Sequence, residues 1–331
     1  YVFVRSDTTW ALQQKLTASN GAANDLFGAS VEISGNTVVV GAPGHDSPSL
    51  ADTGSVYVFV RTGTTWTQQQ ALNAAVPIAE GFGISVAISG ETVVVGATTD
   101  SQRGSAYVFT RMGTAWSQQQ NLTVPTAFSS AQIGKSVAID GDTVVLGAPN
   151  DLVGGFSVGS AYVFTRAGTA WTQQQQLLAN DGQNGDLFGI SVDISVDSVL
   201  VGASGTGTNF GSAYVFIRNV TTWTQQQKLN ASDGANNEVF GISVSINGES
   251  AAIGARGDGI GTASLRGSAY LFRRTGVVWT QQMKFLASDG NANDSFGWSV
   301  DTDGVSVLVG AISDDVGTVI NQGTDYLFNL N

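Results

Sequence analysis

His45 is the only histidine of the 331-residue chain, and there is no cysteine. Thiol catalysis, thiolate metal sites and disulfides are therefore excluded, and any Ser-His-Asp or histidine–metal chemistry must be built on one imidazole. That imidazole stands in the loop Pro43-Gly44-His45-Asp46-Ser47-Pro48. A lone loop histidine is ordinarily a solvated side chain, so His45 and Asp46 are read as ligand contacts rather than as a catalytic pair. Oxygen ligands come next. Asn20 and Asp25, Asp181 and Asp186, Asp233 and Glu238, and Asp289 and Asp294 share one spacing, each pair bracketing a glycine. Two such oxygens across a turn could hold Ca²⁺, yet a calcium ion wants roughly six to eight. Side chains of this kind also cap their own turns, and that reading leads, with calcium as the alternative cofactor. Asp100, Asp151, Asp258 and Asp314, each three residues after a Gly-Ala pair, form a second cation candidate. Arg256-Gly257-Asp258 spells a recognition tripeptide, but Asp258 falls where the other three aspartates recur, so the repeated pattern already explains it.

Aromatic rings are the remaining chemistry. Trp10, Trp66, Trp116, Trp171, Trp223 and Trp279 recur at one position, just ahead of a Gln-rich segment. Such rings could stack on sugars, but identical recurrence favours covering a neighbouring unit. Trp298 breaks the pattern beside Phe296-Gly297, where other copies carry Ala, Ile or Lys. It is the single residue best placed for ligand contact.

The elements that must position these residues follow from the repeat itself. Six copies of about 54 residues run through the chain. Phe-Gly precedes Ser-Val at Phe27, Phe82, Phe188, Phe240 and Phe296, and Ile133-Gly134-Lys135-Ser136-Val137 is the sixth version. In Phe82-Gly83-Ile84-Ser85-Val86-Ala87-Ile88 the apolar residues alternate, the period of a half-buried strand. After the turn Ser89-Gly90-Glu91 comes Thr92-Val93-Val94-Val95-Gly96-Ala97, apolar on both faces and hence buried. Gly104-Ser105-Ala106-Tyr107-Val108-Phe109 is a third strand, and Trp116-Ser117-Gln118-Gln119-Gln120 a polar fourth, as suits an outer edge. No helical periodicity appears. The prediction is an all-β β-propeller of four-stranded blades, six from this chain, as one domain over 1–331. Part of a seven-bladed propeller is the alternative. There are six inner strands but seven Tyr-x-Phe strands, from Tyr1 to Tyr326-Leu327-Phe328. Residues 1–17, through Trp10 to Leu16, are expected to close the ring against 324–331.

Phe-Gly, Ser-Val, Val40-Gly41-Ala42-Pro43 and the run Gly54 to Phe59 resemble the FG-GAP repeat family over the whole chain. The Trp-Thr-Gln-Gln-Gln element is similar to its bacterial secreted and surface branch, and more distantly the chain resembles the integrin α-subunit propeller. The resemblance implies a propeller used for adhesion or recognition. The Asp-rich calcium loop of integrin-type blades has no counterpart here, since Ile33-Ser34-Gly35-Asn36-Thr37 is a bare turn.

Charged residues make up 12% of the chain and net charge is −12, a surface that repels nucleic acid and anionic lipid. No apolar run reaches the ~18 residues of a membrane span. The expected function is a non-catalytic extracellular module, secreted or on the cell surface, that binds glycan or protein through variable loops. Two alternatives stand beside it: a polysaccharide lyase or hydrolase using carboxylates such as Asp46 or Asp315, and a structural subunit of a surface assembly.

Overall fold

The computed structural model describes residues 1–6, 9–46, 52–75, 81–205, 210–234, 237–259 and 265–330; Ser47 and Pro48 of the His45 loop lie outside them. Every repeat folds as its pattern of apolar residues requires. In blade 2, Phe82–Ser89, Thr92–Ala97, Ser105–Met112 and Ala115–Leu122 pair in sequence order as antiparallel neighbours. Blades 1, 3, 4 and 5 have the same four-stranded order, and blade 6 has three strands, Phe296–Thr302, Ser306–Ala311 and Thr324–Asn329. Strands with the Ser-Val segments are the first of each blade, Ser136 standing just ahead of Val137–Asp140. The second strands are buried from end to end in blades 1 to 5. Helix is confined, among the described residues, to one 3₁₀ turn at Asp100–Gln102. The chain is thus an all-β propeller with six blades.

The core lies between blades. Val39, Val56 and Val58 of blade 1 pack on Phe82, Val86, Val95 and Trp116 of blade 2, and each later pair repeats the arrangement. Two small residues permit this approach. A Cβ on Gly41 would lie 2.0 Å from the carbonyl oxygen of Gly83 in the next blade, and Gly96, Gly147, Gly202 and Gly254 meet the same obstacle. The Ser-Val serine donates to that same carbonyl, Ser30 to Gly83 at 2.9 Å and Ser191 to Gly241 at 2.8 Å. Phe-Gly, Ser-Val and Gly-Ala therefore recur together because they make one contact.

The Gln-rich fourth strand has an equally specific job. Its register shifts at the third residue after Trp, leaving Gln69, Gln119, Gln174 and Gln226 out of the ladder. A bulge of this kind re-aims a side chain. Each bulged glutamine accepts the indole N–H of the next blade's tryptophan, as Gln119 does from Trp171 at 2.8 Å. The following glutamine makes two bonds to the same tryptophan's backbone, Gln120 donating to its carbonyl and accepting from its N–H. The indoles of Trp116, Trp171, Trp223 and Trp279 are thus buried in seams between blades.

The chain ends differ from the expected closure. Val2–Ser6 and Thr9–Gln14 pair only with each other, and Thr324–Asn329 pairs only with Ser306–Ala311 among the described residues. The Trp10-to-Leu16 segment does not lie beside Tyr326-Leu327-Phe328. The hairpin instead docks on blade 1, where Gln13 accepts from the Trp66 indole and Gln14 brackets its backbone. That is the contact the fourth strands of blades 1 to 4 make with the blade that follows, and it fixes the hairpin's place.

Candidate functional site

Loops joining second to third strands share one rim with the loops that enter each first strand. The opposite rim carries only tight turns, so every long connection falls on the first. Each of the sequence-predicted residues lies on it.

Asp100, Asp151, Asp258 and Asp314 are all buried. Asp100 accepts from the Tyr107 hydroxyl at 2.8 Å and from Ser105. Asp151 takes the Tyr162 hydroxyl and the Leu152 N–H. Asp258 is ion-paired to Lys284 at 2.6 Å, which turns the acid of Arg256-Gly257-Asp258 inward. The aspartate of this position is thus the acceptor for the third strand's tyrosine, or for the lysine that lies over it. His45 occupies the same position in blade 1, three residues after Gly41-Ala42. Its Nδ1 lies 3.1 Å from the Ser55 hydroxyl and its Nε2 3.0 Å from Asn20, with the ring edge-on to Tyr57. One residue further on, Asp46 accepts from the Asp52 N–H and Asp315 from the Asn321 N–H, so both carboxylates hold their own loops.

The paired acids divide their labour. Asp25, Asp186 and Asp294 accept from the N–H of Ala22, Gln183 and Asn291 and so cap their own turns. Their partners reach outward. Asp181 binds Lys228 at 2.6 Å and the Tyr214 hydroxyl at 3.0 Å, Asp233 binds Lys284 and Tyr270, and Asp289 binds Tyr326. Glu238 is buried in the loop entering blade 5. In blades 4 and 5 a lysine ammonium is thus paired with the outer acid of the loop. Among the described residues no three His, Cys, Asp or Glu side chains are grouped to hold a metal ion.

Charges on this rim are locked. Burial pulls the Asp181 carboxyl upward, but hydrogen bonds from Lys228 and Tyr214 outweigh it and hold the group below the ordinary range. Burial pushes the Tyr214 phenol up to about 12. Around these groups opens a crevice of about 440 Å³, lined by Asp181, Phe210, Tyr214, Lys228, Asn230 and Glu238. Its size falls in the roughly 300–1,000 Å³ range of small-ligand sites. Nearer the axis, Trp298 is 42% exposed and the Arg256 guanidinium lies 4.8 Å from its ring centroid.

The central channel holds what the sequence reading missed. Glu32, Asp193 and Asp301 follow Ser-Val in blades 1, 4 and 6, where other blades have Ala87, Ala138 or Ser245. Desolvation, with Asp301 and then Asp193 as like charges, raises Glu32 to about 7, although water reaches its side chain. Asp193 is likewise pushed to about 7, chiefly by desolvation, despite accepting from the N–H groups of Ile246 and Ile194. Acids in place of small residues were the available signal.

The FG-GAP repeat pattern matches residues 10–59, 66–109, 116–164, 171–216, 223–272 and 279–328. No curated protein matches the chain. Each matched segment runs from the seam tryptophan of one blade to the third-strand phenylalanine of the next, or of blade 1 for the first segment. With nearly the whole chain covered, and the Phe-Gly and Gly-Ala contacts accounted for, the chain belongs to the FG-GAP repeat family.

Proposed function

We propose that this propeller is a non-catalytic recognition module, secreted or displayed on a cell surface, that binds a glycan or protein through its long-loop rim. One observation carries the reading: variation between blades is concentrated on that rim, while the opposite rim repeats the same Arg–Trp stack from blade to blade. Varied loops on a repeated frame are how such scaffolds acquire specificity. The crevice beside Phe210 offers an exposed aromatic face with carboxylate, amide and ammonium groups, which suits hydroxyl-rich ligands. Trp298 with Arg256 extends the surface to the channel mouth. Calcium, if it binds, is expected at the Asp289–Asp294 loop, which has no lysine of the Lys228 kind. The acidic surface, with net charge −12, makes nucleic acid a poor partner. Among the described residues no helix is long and apolar enough to cross a membrane.

A glycan array probed with the purified chain, followed by the variants Phe210→Ala and Trp298→Ala, tests the proposal. Both variants should keep the parent's melting midpoint and lose binding to any ligand found. Binding that survives both, or a variant of the opposite rim that abolishes it, would place the site elsewhere. Release of product from an arrayed polysaccharide would favour the enzyme.

A further inference from the structure

We propose, on the reading that the long-loop rim binds ligand, that the blade 4 crevice selects glycans carrying primary amines. An amino sugar lays its ring on Phe210 and sends its ammonium among the crevice carboxylates.

Charge on the crevice wall sets the preference. Asp181, Asp186 and Glu238 line it against a single ammonium, that of Lys228. The lysine is already committed, pairing with Asp181 at 2.6 Å and lying 5.3 Å from the Tyr214 ring centroid. One acid cancels its charge, so the wall stays net negative whatever hydrogen bonds the other two carboxylates keep. Glu238 is buried, and salt screens a buried charge less than a surface one. An acidic sugar would meet like charge here, whereas an ammonium meets the opposite sign. The chain's net charge of −12 acts in the same direction.

This rim already holds ammonium groups with a carboxylate and an aromatic face. Lys284 in blade 5 pairs with Asp233 and Asp258, each at 2.6 Å, and lies over the Tyr270 ring. The crevice offers a ligand the same kinds of group in Asp186 and Phe210. The Asn230 carbonyl oxygen is taken by the Ser212 hydroxyl at 2.8 Å, which leaves its NH₂ as a donor for a sugar hydroxyl.

Two exposed rings supply the apolar surface. Phe210 is on the crevice wall. Phe156 is 62% exposed on a small strand pair, Leu152–Val153 with Phe156–Ser157, that no other described loop between blade strands forms. This hairpin is braced on the loop entering blade 4. The Ser157 N–H donates to Asn184 Oδ1 at 2.9 Å, and the Ser157 carbonyl accepts from the Gly185 N–H at 2.7 Å. Gln183 and Asp186 of that same loop line the crevice. A second ring held one loop away extends the surface beyond a single sugar, so the ligand is an oligosaccharide.

Calorimetric titration of the intact chain with a β-1,4-linked glucosamine oligomer tests this, in mildly acidic buffer that keeps the amines charged. The oligomer should bind saturably, and its N-acetylated counterpart about tenfold more weakly. Phe210→Ala and Asp186→Asn should each weaken the charged oligomer about fivefold. Asparagine keeps an oxygen to cap the turn at 183–186, so that variant retains its fold. Phe156→Ala should weaken the oligomer but not glucosamine itself. Asp142→Asn removes the same charge from the opposite rim and should change affinity by less than about twofold. Equal affinity for the charged and N-acetylated oligomers, lost in Phe210→Ala, overturns the amine preference and leaves the rim as the binding surface. Tighter binding of an oligolysine peptide than of the oligomer overturns the glycan. Asp142→Asn and Asp186→Asn weakening the oligomer alike would reduce the effect to overall charge and overturn the site. A chain that binds none of these probes, yet loses an arrayed ligand on Phe210→Ala, keeps the rim and loses the ligand class.

Discussion

The two rims of the propeller are built from different chemistry. On the short-turn rim an arginine lies over each seam tryptophan, Arg111 5.0 Å from Trp116 and Arg166 5.0 Å from Trp171, with Arg61, Arg218 and Arg274 alike. Arg111, Arg166 and Arg218 close the turns by pairing with Glu91, Asp142 and Asp197. On the long-loop rim the third-strand tyrosine meets a carboxylate in blades 2 to 6 and the His45 ring in blade 1, and serine or lysine joins the group in some blades but not others. The first rim is repeated because each tryptophan is a joint between two blades, where any change must be matched by the neighbour. The second rim satisfies its polar atoms mostly within one blade and its entering loop. That makes it the rim free to vary, and hence the one able to specialise.

The sharpest way to break this comparison is to truncate one residue on each rim. Trp116→Ala or Trp171→Ala should each cost ~3–5 kcal/mol through lost burial and the cavity left behind. Phe210→Ala, on a ring already 52% exposed, should stay within about 0.5 kcal/mol. Equal losses in urea titrations would mean that the rims do not differ in kind. Lys284→Met probes the second rim where it is most tightly knit, since it strands Asp233 and the buried Asp258. With the lysine partly open to water, the expected loss is about 1–2 kcal/mol, and adding salt to the parent should reproduce only a fraction of it. Arg166→Ala removes a stacked cation and an exposed pair on the first rim, for about 1 kcal/mol. Arg111→Ala and Arg218→Ala should match it; disparate values would show that the rim is less uniform than its geometry.

A pH-dependent effect concerns the channel. Glu32 and Asp193 hold protons in the folded chain up to about pH 7, whereas in the unfolded chain they release them near ~4. The folded state then binds more protons across that interval, so stability falls as pH rises from roughly 4 to 7. The melting midpoint should be higher at pH 5 than at pH 8, and Asp193→Asn should flatten the difference. Asp181 and Asp233, held low, act with the opposite sign only at more acidic pH.

Much of the fold was legible because the repeat is written in residues that each make a specific contact. Phe-Gly, Ser-Val and Gly-Ala located the strands, and identical recurrence assigned the tryptophans to packing. The spacing of Asp181 and Asp186 was legible as well, but not its division, because spacing does not say which way a loop carboxylate turns. One caps the loop, and the other crosses to a lysine 47 positions away. Ring closure was misread for a related reason. Tyr1 and Tyr326 stand in interchangeable local sequence, and only their neighbours in space distinguish them.

The seam between Gln119 and Trp171 is the same object as that between Gln226 and Trp279. Blades 1 to 4 therefore each present an outer strand that fits the tryptophan of any sibling, whereas Met283 replaces the bracketing glutamine in blade 5. A gene duplication or deletion spanning one whole repeat would leave no mismatched junction, only a ring wider or narrower by one unit. A break inside a repeat would part a tryptophan from its glutamines. Copy number in such a gene is free to drift in whole units, while the reading within a unit stays fixed.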